Sequence, residues 1–270
     1  MRYQLIKIIF LSIIILILGT CKKNDVLTPD FTSLNYKLDD NISASIKVCV
    51  YLDSGVFESC QTNTVDMLNE MQCNYSVINK DSILNGALSH YNLLIMPGGD
   101  MWQYQSYLAT SGMANITEYV RQGGGYIGIC GGSYFAATQI VWRGWANHPR
   151  DSVSIYGLNI VPAIADGPIE DFAPSYIDSK CHIRLIQPEH PCTIGLSDPI
   201  APYYDHGPKF LFNDSINISV LGRTVTGDKK IILSYQYGLG KVFLTGAHPE
   251  ADNSRTSWFM VKNAIKWCSK

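Results

Sequence analysis

The ten residues Tyr126 to Phe135, Y-I-G-I-C-G-G-S-Y-F, constrain this chain more than any other stretch. Three glycines (Gly123, Gly124, Gly125) lead into a short apolar strand that ends in Gly128-Ile129-Cys130-Gly131-Gly132. This G-x-C-x-G pattern has the layout of a G-x-S-x-G nucleophile elbow, with a thiol in place of the hydroxyl. Such an elbow forces its nucleophile into a strained strand-to-helix turn, and the flanking glycines leave room for the chain to turn that tightly. Ser133 to Ile140 is expected to form the helix that follows. Its N-terminal dipole would favour a thiolate, and the Gly131 N–H would face a developing oxyanion. A buried cysteine in a glycine-rich βα turn fits the same residues equally well, so the partners of Cys130 decide between the two.

Those partners are sought near the C-terminus. Lys241 to Glu250 reads K-V-F-L-T-G-A-H-P-E, a buried-strand run followed by His248-Pro249-Glu250. Strand ends are where an α/β sheet presents reactive groups, and Pro249 fixes the local chain direction. His248 is a candidate proton acceptor for Cys130. Glu250 is a candidate to orient the imidazole and stabilise its charged form.

The chain between Ser45 and Cys130 alternates strand and helix patterns. Strands are expected at Ser45–Leu52, Cys73–Ile78 and Tyr91–Met96, with helices at Thr62–Met71, Ser82–Leu88 and Ile116–Arg121. That alternation indicates an α/β fold with a doubly wound, mostly parallel sheet. A β excursion (Ile216–Arg223, Lys230–Tyr235) is expected before the last strand, and a closing helix at Thr256–Cys268. Further strands are read at Leu158–Gly167 and His182–Ile186, with a turn and helix start at His190-Pro191.

Pro97-Gly98-Gly99 ends the central apolar strand, where glycines allow a close backbone approach to a ligand. An ordinary turn explains it as well. Asp100 caps the next helix or touches substrate, with capping the better reading.

Cys130 in its elbow and His248-Pro249-Glu250 together resemble the Cys-His-Glu triad of the class I glutamine amidotransferase-like superfamily. More narrowly, the chain resembles the biotin-protein ligase N-terminal domain family. Met96–Asp100, Gly123–Gly132, Ala165–Pro168 and Tyr203–Pro208 carry the narrower match, which runs from about Ile46 to the end. The resemblance implies a flavodoxin-like fold. It also implies an oxyanion hole in which an amide of Gly98 or Gly99 joins that of Gly131. Tyr204 is a candidate substrate-binding residue. His206 stands where related sequences more often carry glycine, which puts the backbone there in question; Asp205 and His206 also read as a local turn pair.

The N-terminus is organised differently. Arg2 and Lys7 flank the start of an apolar run that ends in Leu18-Gly19-Thr20-Cys21. A basic n-region, a short apolar core and small residues describe a secretory signal over residues 1–20. Leu-Gly-Thr-Cys resembles a bacterial lipobox, which makes Cys21 the expected lipidation site. An uncleaved anchor is the alternative; the run is short for the ~20 residues of a membrane span. Either version tethers the chain to a membrane and places a domain at residues 45–270 outside the cytoplasm. The polar stretch 21–44 is then a tether.

A net charge of −2, without a basic patch, argues against a nucleic-acid partner. No cysteine or histidine spacing resembles a zinc site, and no cofactor is called for. Of the eight cysteines, Cys181 and Cys192 are the more plausible disulfide pair, whereas a helix holds Cys60 and Cys73 apart. Trp142 to Arg150, with two tryptophans and His148, reads as a lid or pocket rim.

Two functions remain open: a cysteine-dependent amide or acyl hydrolase of unknown small-molecule or peptide substrate, and a non-catalytic binding module at the cell envelope. Biotin ligation is the least expected activity, because no glycine- and arginine-rich biotinoyl-adenylate loop is visible.

Overall fold

The computed structural model describes residues 41–144, 153–171 and 179–270. The expected signal segment, Cys21, the tether up to residue 40 and His148 lie outside the described residues. Among the described residues, no helix is long and apolar enough to cross a membrane.

The first half alternates as the sequence implies: β1 (Val48–Tyr51), α1 (Glu58–Glu70), β2 (Tyr75–Ile78), α2 (Lys80–Leu84), β3 (Leu93–Met96), α3 (Met101–Arg121), β4 (Gly125–Ile129) and α4 (Gly131–Ala136). The second half is β-rich: β5 (Ala137–Trp142), β6 (Val153–Tyr156), β7 (Val161–Gly167), β8 (Ser179–Lys180), β9 (Ile183–Leu185), β10 (Tyr203–Tyr204), β11 (Lys209–Leu211), β12 (Ser219–Thr224), β13 (Lys230–Tyr237), β14 (Gly240–Thr245) and the closing helix α5 (Trp258–Cys268).

The main sheet has eight strands in the order β2-β1-β3-β4-β14-β13-β12-β9. Its first five strands are mutually parallel; the rest pair antiparallel. The central strands are buried on both faces, so side chains divide by the two-residue period. Val48, Val50, Ile127 and Ile129 pack with Met67, Leu68, Val261 and Ile265 on one side. Cys49, Tyr51, Leu94 and Tyr126 pack with Tyr104, Leu108 and Phe135 on the other.

Several elements differ from the sequence expectation. Helix α3 begins at Met101 rather than near Ile116, capped by Asp100, whose Oδ1 accepts from Trp102 N (2.9 Å) and Gln103 N (3.2 Å). It buries Met101, Tyr104, Leu108, Gly112, Ile116 and Val120, a helical stripe broken in direction at Ala109 (φ 55°). Helix α4 stops after six residues; Ala137–Ile140, expected to continue it, forms β5 instead. Strand β5 enters a second sheet, β11-β7-β5-β6, that the sequence reading did not foresee. The expected β excursion is the hairpin β12–β13, which extends the main sheet antiparallel to β14. No helix starts at His190, where the chain turns. The seven described cysteines are all free and buried, so Cys181 and Cys192 are not bridged. Burial pushes the Cys181 thiol up to about 12.

The ends of β1, β3, β4 and β14 set the site. Their C-terminal loops converge on one edge, as in open parallel sheets generally. The loops after β1 and β3 are tied together by Asp100 N to Gly55 O (2.7 Å) and Phe57 N to Gly98 O (3.3 Å).

Candidate active site

Cys130 follows β4 directly and adopts φ 48°, ψ −103°, a left-handed conformation for a residue with a side chain. Such a conformation costs on the order of 1–3 kcal/mol and persists only where the surroundings enforce it. Cys130 N donates to Thr245 O (2.9 Å), and Gly132 N donates to Pro97 O (3.0 Å). The glycines are sterically required. A Cβ on Gly128 would sit 2.7 Å from Gly132 O, and one on Gly132 would sit 2.0 Å from Met96 O.

His248 follows β14. Its N donates to Tyr203 O (2.7 Å), which fixes the backbone beside the elbow. Pro249–Ala251 makes a single 3-10 turn that swings Glu250 back under the imidazole, 2.7 Å from Nδ1 to Oε1. The other carboxylate oxygen is buried without a hydrogen-bond partner. The structure therefore brings together the three candidate side chains, Cys130, His248 and Glu250, all buried.

The Asp205 carbonyl lies at the junction. Cys130 Sγ is 3.4 Å from it, and His248 Nε2 is 3.1 Å from it. A carbonyl only accepts, and so does an ionised carboxylate. Both ring nitrogens of His248 thus face acceptors, which calls for the doubly protonated ring. The electrostatics agree. Burial alone would lower the His248 pKa, but the facing Cys130 and the Glu250 carboxylate overcome it and hold the pKa well above the usual imidazole value. For Cys130 the balance goes the other way. Burial pushes the thiol above its ordinary 9.0, and the pull of His248 offsets only part of this. A six-residue α4 supplies too little dipole to reverse that burial penalty, contrary to the expectation of a dipole-favoured thiolate.

Gly98 and Gly99 separate in role. Gly99 adjoins the elbow: a Cβ on Gly131 would lie 2.6 Å from Gly99 N. Among the described residues, neither the Gly99 nor the Gly131 amide finds an acceptor, which leaves two N–H groups for an oxyanion. Gly98 instead makes room for side chains; a Cβ there would meet Cys60 Sγ at 2.6 Å and His248 Cε1 at 2.8 Å.

Cys60 is the residue that the sequence reading missed. It lies in the first turn of α1 and reaches His248. Its place at the start of the helix that follows the loop after β1 was the available signal. Cys60, His248 and Glu250 bring one ligand-type atom each within 4.8 Å of one another. The Nδ1–Oε1 hydrogen bond already joins two of those groups.

Tyr204 does not line the site. Its hydroxyl donates to Gly207 O (2.7 Å) and accepts from Ile169 N (2.7 Å), which braces the loop that carries Asp205. His206 adopts φ 59°, the conformation that explains why glycine suits this position, and its ring pairs with the Asp205 carboxylate. Asp166, in the Ala165–Pro168 motif, is bound by Arg143 Nε (2.5 Å), Arg143 Nη2 (2.7 Å) and Lys209 Nζ (3.3 Å). It clamps β5, β7 and β11 together beside Trp142.

A cavity of about 100 Å³ opens onto Cys130 and His248, walled by Phe57, Met101, Trp102, Tyr134 and Trp142. Two larger open depressions, of about 580 and 590 Å³, contain no thiol or imidazole.

The eight-stranded α/β sheet and the elbow at its C-terminal edge define a class I glutamine amidotransferase-like fold. A glutamine amidotransferase structure from Thermotoga maritima matches with a TM-score of 0.50 at 12% identity, over 80% of this chain and 81% of that one. Residues 46–266 match the family model described as biotin-protein ligase, N terminal, and the chain belongs to that family. An uncharacterised protein from Chlamydia muridarum is 27% identical over 214 residues, covering 76% of this chain and 80% of its own length. The biotin–protein ligase of Schizosaccharomyces pombe is 30% identical over 169 residues. That match spans 58% of this chain but only a quarter (25%) of the ligase.

Proposed function

We propose that this protein is a cysteine-dependent acyl or amide hydrolase. The observation that supports it best is the placement of Cys130, in a strained elbow, beside an imidazole whose Nδ1 is held 2.7 Å from Glu250 Oε1. At alkaline pH Cys130 gives its proton to solvent, since His248 is already protonated, and the resulting thiolate attacks a substrate carbonyl; the S–C bond forms while the carbonyl electron pair moves onto oxygen. The Gly99 and Gly131 amides receive that oxyanion. His248 gives its Nε2 proton to the leaving nitrogen or oxygen as the acyl–leaving-group bond breaks. Neutral His248 then takes a proton from water as it attacks the thioester, and the Cys130 thiolate departs.

Purified protein tested on small amides and activated esters checks this reading. The expected result is turnover that Cys130→Ser and His248→Ala each abolish; full turnover in Cys130→Ser would contradict it.

A non-catalytic binding module is the second reading. What favours it is the Asp205 carbonyl, which takes both the thiol and the Nε2 donor, together with the raised thiol pKa. We also infer from Leu18-Gly19-Thr20-Cys21 that the chain is an exported lipoprotein anchored through Cys21 at the cell envelope. Mass spectrometry of the membrane fraction tests that; an unmodified Cys21 would overturn it.

A further inference from the structure

We infer that the cavity over Cys130 accepts a compact, uncharged acyl group and turns away carboxylate-bearing ones. The word acyl rests on the hydrolase reading above; the size and charge preference does not.

Size comes first. The cavity holds about 100 Å³. That is well below the ~300 Å³ at which ordinary ligand pockets begin. Aromatic rings make up much of its wall. Trp102 and Trp142 meet edge to face, with centroids 5.7 Å apart at 86°, and Tyr134 meets Trp142 at 6.0 Å. Rings packed this way do not yield to a larger guest without breaking contacts worth about 0.5–1.5 kcal/mol each.

Charge comes second. The described lining contains no lysine or arginine. Arg143, adjacent to Trp142, is committed to Asp166 by two hydrogen bonds. Lys209 is committed to the same carboxylate. The acidic groups of the lining are Asp100, which caps α3, and Asp205, which pairs with His206. His248, the remaining charged group, is balanced by Glu250. A substrate carboxylate entering here would lose its water and face Asp100 and Asp205, while the His248 imidazolium is already neutralised by Glu250. An ion buried without a partner is strongly disfavoured. An α-amino acid such as free glutamine carries that group; a simple aliphatic amide does not.

The test is equilibrium protection of Cys130 from iodoacetamide near pH 9, followed by peptide mass spectrometry, with unreactive amides as competitors. Butyramide is expected to protect at a concentration at least about tenfold lower than succinamate, which carries a carboxylate in place of a methyl. Benzamide is expected to protect wild type poorly and to gain at least about tenfold in Trp102→Ala, with Trp102→Phe between the two. Circular dichroism on both variants guards against loss of fold, and the wild-type butyramide–succinamate comparison needs no variant. Succinamate protecting as well as butyramide, benzamide protection unchanged in both tryptophan variants, or no protection by any amide would each overturn the inference. Because protection is a binding readout, it stands apart from turnover: a protein that binds butyramide selectively yet hydrolyses nothing would sink the hydrolase reading and keep this one.

Discussion

Glu250 Oε1 lies 2.7 Å from His248 Nδ1, with both side chains buried and the second glutamate oxygen free of other hydrogen bonds. One carboxylate thus serves one imidazole. After the facing Cys130, the charge of Glu250 helps hold the buried ring protonated, and the Nδ1 contact fixes the ring so that Nε2 points toward Cys130 and Asp205.

Replacing that charge while keeping the shape isolates its role. Glu250→Gln is expected to lower the rate at which an activated thioester acylates Cys130 by about 10²–10⁴-fold. The His248 pKa, read by NMR, is expected to fall in the same variant, with the circular dichroism spectrum unchanged.

The pH dependence follows from the direction of the Cys130 shift. A thiol whose pKa lies above 9.0 is almost wholly protonated at neutrality, so its thiolate fraction grows with pH and keeps growing past 9. Alkylation of Cys130 by iodoacetamide is therefore expected to rise continuously from pH 6 to about pH 9, without the neutral plateau of a low-pKa catalytic thiol. A plateau reached near pH 7 would show that His248 wins over burial.

Gly98→Ala tests the crowding around the imidazole. The new Cβ would come within 2.6 Å of Cys60 Sγ and 2.8 Å of His248 Cε1. Both are side-chain atoms that can shift, so the fold is expected to survive with a loss of about 1–3 kcal/mol in stability. A displacement of the imidazole near 1 Å is expected to cost about 10²-fold in Cys130 acylation. Pairing the change with Cys60→Ala, which removes one of the two collisions, is expected to restore part of that loss.

Asp166 carries a prediction about stability. Burial would raise its pKa, but Arg143 and Lys209 overcome this and hold it below the usual carboxylate value. A depressed folded-state pKa gives stability that is present above the unfolded value of about 3.9 and fades as pH falls through the folded value. Asp166→Asn is accordingly expected to lose about 2 kcal/mol at pH 7, measured by urea unfolding. The gap between variant and wild type should narrow below about pH 4.

The candidate triad was legible in the sequence because each half carries a local signal: glycines around Cys130, and a proline between His248 and Glu250 at a strand end. The parallel strands were legible for a similar reason, as continuous apolar runs buried on both faces. What escaped depends on distant contacts. The start of α3 (M-W-Q-Y-Q-S-Y-L) looks polar until its stripe from Met101 to Val120 is set against the sheet. Ala137–Trp142 continues past a helix start, and only pairing with β6 and β7 makes it a strand. Cys60 comes to His248 only once two hydrogen bonds tie the loops after β1 and β3 together, and the Tyr204 hydroxyl is taken up by Gly207 O and by Ile169 N on a separate loop.

The most direct test of the central claim is intact-mass spectrometry of the protein mixed with a small activated thioester at alkaline pH. The predicted result is a single acyl adduct on Cys130 that discharges in wild type, does not form in Cys130→Ala, and forms at least 100-fold more slowly in His248→Ala (about the lower end of what a general acid–base group contributes). Labelling of wild type and His248→Ala at equal rates, or an adduct that maps to another cysteine, would contradict it.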